Sequence, residues 1–159
     1  MRYNCAISDE IVKRKLKMSV KVVCPSCGKV NKIPVKESYA KANCGHCKAS
    51  MLNQKPLEVD KEDLLHVLVN SDIPVVIDFW APWCGPCIQM APAFEEASSE
   101  LSLKVQFLKV NTEEHQDLGA IYGIESIPTM VMFKGTKEQE RVSGAMSAGR
   151  IASWAKQFI

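Results

Sequence analysis

Seven cysteines set the chemistry open to this 159-residue chain. Six fall into three Cys-x-x-Cys pairs, Cys24/Cys27, Cys44/Cys47 and Cys84/Cys87, and Cys5 stands alone. Sulfurs at this spacing either close a reversible disulfide or bind a soft metal as thiolates. An odd count, with an N-terminus that mixes Asp9 and Glu10 with Lys13, Arg14 and Lys15 in place of an apolar leader, argues against a secreted disulfide framework. It argues instead for metal or redox chemistry in a reducing compartment.

Cys84 and Cys87 lie in the string Asp78-Phe79-Trp80-Ala81-Pro82-Trp83-Cys84-Gly85-Pro86-Cys87. An apolar run precedes them and a helical pattern follows. At a helix N-terminus the unpaired N–H groups and the dipole favour a thiolate at the first cysteine, and the thiolate is the attacking species. The second cysteine is one turn further on, close enough to close a disulfide. Pro86 suits the first turn, where its missing N–H costs nothing, and it stiffens the loop between the sulfurs.

The other two pairs, Cys24-Pro25-Ser26-Cys27 and Cys44-Gly45-His46-Cys47, are separated by 16 residues, the spacing of a zinc ribbon. Each pair can form a tight knuckle, with Gly28 and Gly45 permitting the turns. Four thiolates complete a closed tetrahedral site with no open position for catalysis, so the expected Zn2+ on Cys24, Cys27, Cys44 and Cys47 is structural. Cys-Gly-His-Cys is also a redox motif of disulfide isomerases, where it follows a buried strand and an aromatic residue and opens a long helix. Here Tyr39-Ala40-Lys41-Ala42-Asn43 precedes it and a linker at Pro56 soon follows, so zinc is favoured and His46 reads as a knuckle residue.

The elements that position these groups are legible in the hydrophobic pattern. Residues 1–17 carry no caps or turn signals and read as a tail or an extension from an upstream start, with no role assigned to Cys5. Residues 18–55, the expected ribbon, hold apolar runs too short for a core, so metal binding must supply the folding free energy. From residue 56 to 159 the pattern is regular. It comprises a strand at Leu57–Val59, a helix capped by Asp60 with Leu64, Leu65, Leu68 and Val69 inward, a buried strand at Pro74–Trp80, and a helix from Cys84 to Leu101 containing Pro92. There follow a strand at Leu103–Val110, a short helix capped by Thr112 with Glu113 and Glu114 in its first turn, a strand at Thr129–Phe133, an edge strand near Glu140–Ser143, and a helix at Ser147–Phe158. This order implies an α/β sandwich whose central sheet is covered on both faces.

Charge divides the chain in the same place. Residues 1–56 hold 12 Lys/Arg against 3 Asp/Glu, a balance of +9, and residues 57–159 hold 8 against 15, a balance of −7. Within residues 18–56 seven Lys and one Glu give +6, which four thiolates and one Zn2+ lower to +4. That is modest for nucleic acid, and Tyr39 is the only aromatic platform, so nucleic acid is not the expected partner. No stretch approaches the roughly 20 apolar residues that span a bilayer, so no membrane association is expected either. The expected compartment is the cytoplasm.

The string around Cys84 resembles the thioredoxin family, and the resemblance runs through residues 57–159. It includes Lys109 in Leu-Lys-Val-Asn, the Tyr-Gly-Ile-x-Ser-Ile-Pro-Thr run ending in Ile127-Pro128-Thr129, and Gly144 after the edge strand. The implied fold is a central mixed sheet flanked by helices, carrying the ribbon at its N-terminus, an arrangement similar to the zinc-binding bacterial branch of the family. The implied activity is protein-disulfide reduction, with Cys84 as nucleophile and Cys87 resolving the mixed disulfide. Asp78 would be a buried carboxylate of raised pKa that accepts the Cys87 proton, set against the plainer reading of an Asp satisfied by buried hydrogen bonds. Trp83 would flank an exposed sulfur, Trp80 would pack beneath it, Pro128 would be cis, and the backbone of Ile127 together with Gly144 would meet the substrate. Lys109 would tune Asp78, or simply be solvated. The resemblance also implies a monomer that binds no organic cofactor and receives electrons from NADPH through thioredoxin reductase. Ile88 departs from the family, where Lys or Arg commonly follows the second cysteine. Two further readings stand beside this one: a ribbon binding module that uses the rest as scaffold, and a ribbon that responds to oxidation by losing zinc.

Overall fold

Val75–Trp80, an unbroken run of apolar residues apart from Asp78, forms the central strand of the computed structural model, which describes residues 18–159. The expectations for residues 1–17 and Cys5 lie outside the described residues. In chain order the elements are β1 (Ser19–Val23), β2 (Val30–Pro34), β3 (Leu57–Glu58), α1 (Lys61–Asn70), β4 (Val75–Trp80), α2 (Gly85–Glu100), β5 (Gln106–Asn111), α3 (Gln116–Ile121), β6 (Thr129–Lys134), β7 (Lys137–Ser143) and α4 (Ala148–Lys156). The main sheet runs β3-β5-β4-β6-β7, parallel among β3, β5 and β4 and antiparallel from β4 to β6 to β7.

Alternation along the strands sorts side chains to the two faces. Ile77, Phe79, Leu108, Val110, Val131 and Phe133 pack with α1 and α3 through Leu64, Val67, Leu68 and Leu118. Val76, Phe107, Met130 and Met132 pack with α2 and α4 through Met90, Phe94, Ile151 and Trp154. Each fully buried Leu, Phe or Met adds about 1.5–3 kcal/mol, enough in sum to hold a rigid platform under the loops at the strand ends.

Four local expectations are corrected. Leu65 and Val69 are exposed, and Val67 joins Leu64 and Leu68 inside, because positions 64, 67 and 68 share one stripe at 3.6 residues per turn whereas 65 and 69 lie about 100° round from it. Thr112 does not cap a helix: its hydroxyl and its N–H both donate to the Trp80 carbonyl, and Asn111 Oδ1 instead accepts from the Glu113 N–H at 3.0 Å. The helix begins only at Gln116, with His115 at its N-cap and no side-chain cap. The strand expected from Leu103 begins at Gln106, and the edge strand begins at Lys137, three residues before its expected start. Asp60 and Ser147 cap α1 and α4, accepting from the N–H groups of Asp63 and Arg150, and α2 runs through Pro92.

The N-terminal four-cysteine segment is built on the β1–β2 hairpin. Its small core of Val22, Ile33 and Met51 is completed by Ile73 and Leu103 from the α/β unit. Backbone groups of Lys21 and Asp72 bond at 2.8 Å, and the Gln106 amide pairs with both backbone groups of Val23, at 3.0 and 3.3 Å, as another strand would. Ser98 Oγ donates to the Gln54 carbonyl, and the Asn53 N–H donates to Ser102 Oγ. These contacts lie where β4 and β5 begin, whereas Cys84 follows the end of β4. At about 3.3 Å per residue, β4 alone separates the two ends by roughly 17 Å.

Candidate functional site

The loop after β4 turns Cys84 into the N-cap of α2, with extended backbone (φ −84°, ψ 107°). Its sulfur accepts the Cys87 N–H at 3.2 Å and is disulfide-bonded to Cys87 across a Cα–Cα distance of 5.2 Å. A sulfur in this position meets an orphan helix donor and the positive end of the dipole, the two features that stabilise a thiolate once the bond is opened. Pro86 occupies the first turn. The expected exposure of Cys84 is corrected: it is only 5% exposed, because Ala81, Trp80 and Ile127 pack around the two cysteines. Trp83, at 72%, is the exposed aromatic beside it, and Ile88 is open to solvent on the first turns of α2.

Asp78 sits two residues before the end of β4 and is 1% exposed. Its Oδ1 is buried without a hydrogen-bond partner among the described residues. Burial pushes its carboxyl up to about 7, against the pull of the Lys109 ammonium, with the Glu58 carboxylate adding to the rise. Lys109 is not simply solvated. Its ammonium lies 3.8 Å from Glu58 Oε1 and 4.4 Å from the Trp80 ring centroid.

Across the cysteines the Ile127–Pro128 peptide is cis, and the Ile127 carbonyl oxygen is 3.8 Å from Cys84 Sγ. Gly144, at φ +98°, donates its N–H to the Pro128 carbonyl at 2.9 Å. That φ is readily reached only by glycine. Trp83, Thr112, Gly119, Ile124 and Ile127 line an open groove of about 340 Å³ beside the cysteines. The structure therefore brings Cys84, Cys87, Trp83 and Ile127 together, with Pro128 and Gly144 alongside and Asp78 and Lys109 beneath on the sheet.

At the opposite end, the sulfurs of Cys24, Cys27, Cys44 and Cys47 all lie within 4.8 Å of one another, an arrangement able to hold a metal ion. Cys24 and Cys47 approach to 3.8 Å, and Cys27 and Cys44 to 3.7 Å. The two knuckles are matched: Cys24 N–H donates to the Lys29 carbonyl and Gly28 N–H to that of Cys24, while Cys44 N–H donates to Ala49 and Lys48 N–H to Cys44. The role expected of Gly45 is corrected here, because the left-handed residue that matches Gly28 (φ 74°) is Lys48 (φ 65°). Gly45 instead donates its N–H to Asn31 Oδ1, while Asn31 Nδ2 lies 3.3 Å from Cys44 Sγ. The Cys47 N–H and then this amide hold the Cys44 thiol at about 5, while burial pushes Cys24 up to about 12. His46 is exposed and outside the cluster.

Residues 55–157 match the family model described as Thioredoxin. The chain belongs to the thioredoxin family. Similar relatives include thioredoxin C-3 of Corynebacterium nephridii, 38% identical over 138 residues that cover 87% of this chain and 94% of the relative. The thioredoxin of Haemophilus influenzae is 39% identical over 103 residues, 65% of this chain and 96% of its own. M-type chloroplastic thioredoxins are also similar, among them that of Chlamydomonas reinhardtii at 39% over 101 residues, 64% of this chain and 72% of the relative. Among solved structures, Malassezia sympodialis thioredoxin superposes with a TM-score of 0.60 at 33% identity, covering 66% of this chain and 94% of that one. Membership makes this thioredoxin a thiol–disulfide oxidoreductase of the protein-disulfide reductase class. No helix among the described residues is long and apolar enough to cross a membrane.

Two groups at the site escaped the sequence reading. Glu58 gave no signal because strand pairing, which a single sequence does not reveal, is what brings it to Lys109. Asn31 lies 13 residues before Cys44 in an ordinary polar stretch, and only the folded hairpin brings it to the sulfur.

Proposed function

We propose that this thioredoxin reduces protein disulfides with the Cys84–Cys87 dithiol. The observation that carries the reading is a sulfur at a helix N-cap, one turn from its partner, on the same element junction as a buried and unpartnered carboxyl. The Cys84 thiolate attacks one sulfur of the substrate disulfide, that S–S bond breaks, and one substrate thiolate leaves as the mixed disulfide forms. Asp78 takes the Cys87 proton. The Cys87 thiolate then attacks Cys84 Sγ, which releases the second substrate thiolate and leaves the Cys84–Cys87 disulfide. Lys109 tunes Asp78, Trp83 and Ile127 contact the substrate chain, Pro128 and Gly144 shape that contact, and the loss of a cation at Ile88 leaves activation to the helix terminus.

The same proposal divides the chain into a zinc ribbon over 18–55 and a thioredoxin domain over 56–159. A tetrahedral ion held by thiolates at about 2.3 Å requires sulfurs about 3.8 Å apart, and the Cys24–Cys47 and Cys27–Cys44 separations of 3.8 and 3.7 Å fit it, with all four sulfurs within 4.8 Å of one another. Four converging thiolates with no neutral donor suit Zn2+, which when bound supplies charge neutralisation and folding free energy to the small hairpin. A match over 87% of the chain extends well upstream of residue 55, which supports a zinc-ribbon thioredoxin subtype. The position of the cluster at the far end of the sheet favours a structural over a redox-responsive zinc. We further propose a cytoplasmic monomer recharged by thioredoxin reductase and NADPH.

Coupled reduction of a protein disulfide by NADPH, thioredoxin reductase and this protein tests the assignment. Turnover that disappears in Cys84→Ser is the expected result, and turnover that persists would overturn it.

A further inference from the structure

Three strands bring three charged side chains into one row. Glu58 on β3 is the register partner of Lys109 on β5, and Lys109 is the register partner of Asp78 on β4. Partners in register point to the same face, so a carboxylate, an ammonium and a second carboxylate lie side by side on the face covered by α2. The row is closed on its inner side by uncharged Met130, the partner of Asp78 on β6. Above it, α2 carries Cys87 and no charged residue before Glu95. Toward the edge, Glu114 and His115 act on Glu58 from the segment after β5. Among the described residues Lys109 is the one cation acting on Asp78, and its ammonium contacts Glu58 Oε1 on β3 at 3.8 Å and the ring of Trp80 on β4 at 4.4 Å.

We infer that Glu58 is a positioning residue of the redox site: it draws the Lys109 ammonium toward the sheet edge and so sets how readily Asp78 takes up the Cys87 proton. The second half of this statement rests on the proton-acceptor role proposed above for Asp78. Without Glu58 the ammonium loses the carboxylate 3.8 Å away on its outer side, and more of its charge is left to favour ionised Asp78. The like charge of Glu58, two strand spacings or roughly 10 Å away, is lost at the same time. Both changes favour the ionised form of Asp78 and weaken it as a proton acceptor.

Glu58→Gln keeps the strand and the size of the side chain, and the residue is half exposed on an edge strand, so the variant is expected to fold. The test follows the Asp78 carboxyl directly by 13C NMR titration of the oxidised protein, in which Cys84 and Cys87 do not titrate. The pH profile of protein-disulfide reduction is measured in parallel. In Glu58→Gln the Asp78 midpoint falls by roughly half to one pH unit, as expected for an altered charge at this range in a partly screened site, and the pH profile moves down with it. In a Lys109→Met background the same substitution gives a smaller fall, because only the direct charge remains to be lost. An Asp78 midpoint that stays put in Glu58→Gln overturns the inference, whatever the activity does. A midpoint that falls while the pH profile stays in place upholds the control of Asp78 by Glu58 and refutes Asp78 as the proton acceptor.

Discussion

Replacing Asp78 by Asn removes a carboxyl that the fold holds without a hydrogen-bond partner, and the consequence for stability can be worked out from its titration. Burial raises this group from an ordinary value of 3.8 to about 7 in the folded protein. Between those two values the native state keeps the proton and the unfolded state loses it, so stability falls as pH rises through the window, by up to about 1.4 kcal/mol per pH unit. From pH 5 to pH 8 the loss amounts to roughly 2–3 kcal/mol. Asn does not titrate, and the cost of burying its amide, about 1–3 kcal/mol, is the same at both pH values and cancels in the comparison. Urea unfolding of the oxidised proteins, followed by tryptophan fluorescence at pH 5 and pH 8, gives the four free energies needed. The difference between Asp78→Asn and wild type should move in favour of the variant by roughly 2–3 kcal/mol between pH 5 and pH 8. A difference that is unchanged between the two pH values would refute the buried, proton-holding carboxyl.

The four-cysteine cluster predicts one zinc per chain, retained in Cys84→Ser/Cys87→Ser and lost in Cys24→Ser, as read by metal analysis of the purified proteins. Chelation should melt the β1–β2 hairpin and leave the main sheet folded, which amide hydrogen exchange would register as lost protection confined to residues 18–55. Leu103→Ala removes an apolar side chain that completes the hairpin's core from the α/β unit and should cost about 2–4 kcal/mol, measured by denaturant unfolding of the zinc-loaded protein. Gln106→Ala leaves both backbone groups of Val23 without their partner and should lower the zinc-loaded midpoint, with little effect on protein-disulfide reduction because the site lies at the other end of β4.

The sheet and the redox centre were legible because period-2 and period-3.6 patterns and a ten-residue string carry them locally. Pro74–Trp80 could be read as a covered strand from its run of apolar residues, and Cys84 as a helix start from Pro86 and the pattern beyond. What was not legible depends on partners distant in sequence. Thr112 has the composition of a cap, yet the Trp80 carbonyl 32 residues earlier claims its hydroxyl. Gly45 looks like a turn glycine, but the hairpin places Asn31 against its N–H and leaves the left-handed position to Lys48. Lys109 at a strand end reads as solvated until pairing with β3 and β4 sets it between Glu58 and Trp80. The seat of the hairpin was equally hidden, since Gln106 imitates a strand backbone with a side-chain amide, a contact without a sequence period.

Trapping the mixed disulfide tests the central claim most directly. Cys87→Ser cannot resolve the intermediate, so incubation of the reduced, zinc-loaded variant with a disulfide-bonded protein should give one covalent adduct, released by dithiothreitol and mapped by mass spectrometry to Cys84. An adduct on Cys24, Cys27, Cys44 or Cys47 with Cys84 left free would contradict the assignment of the Cys84–Cys87 pair as the redox centre.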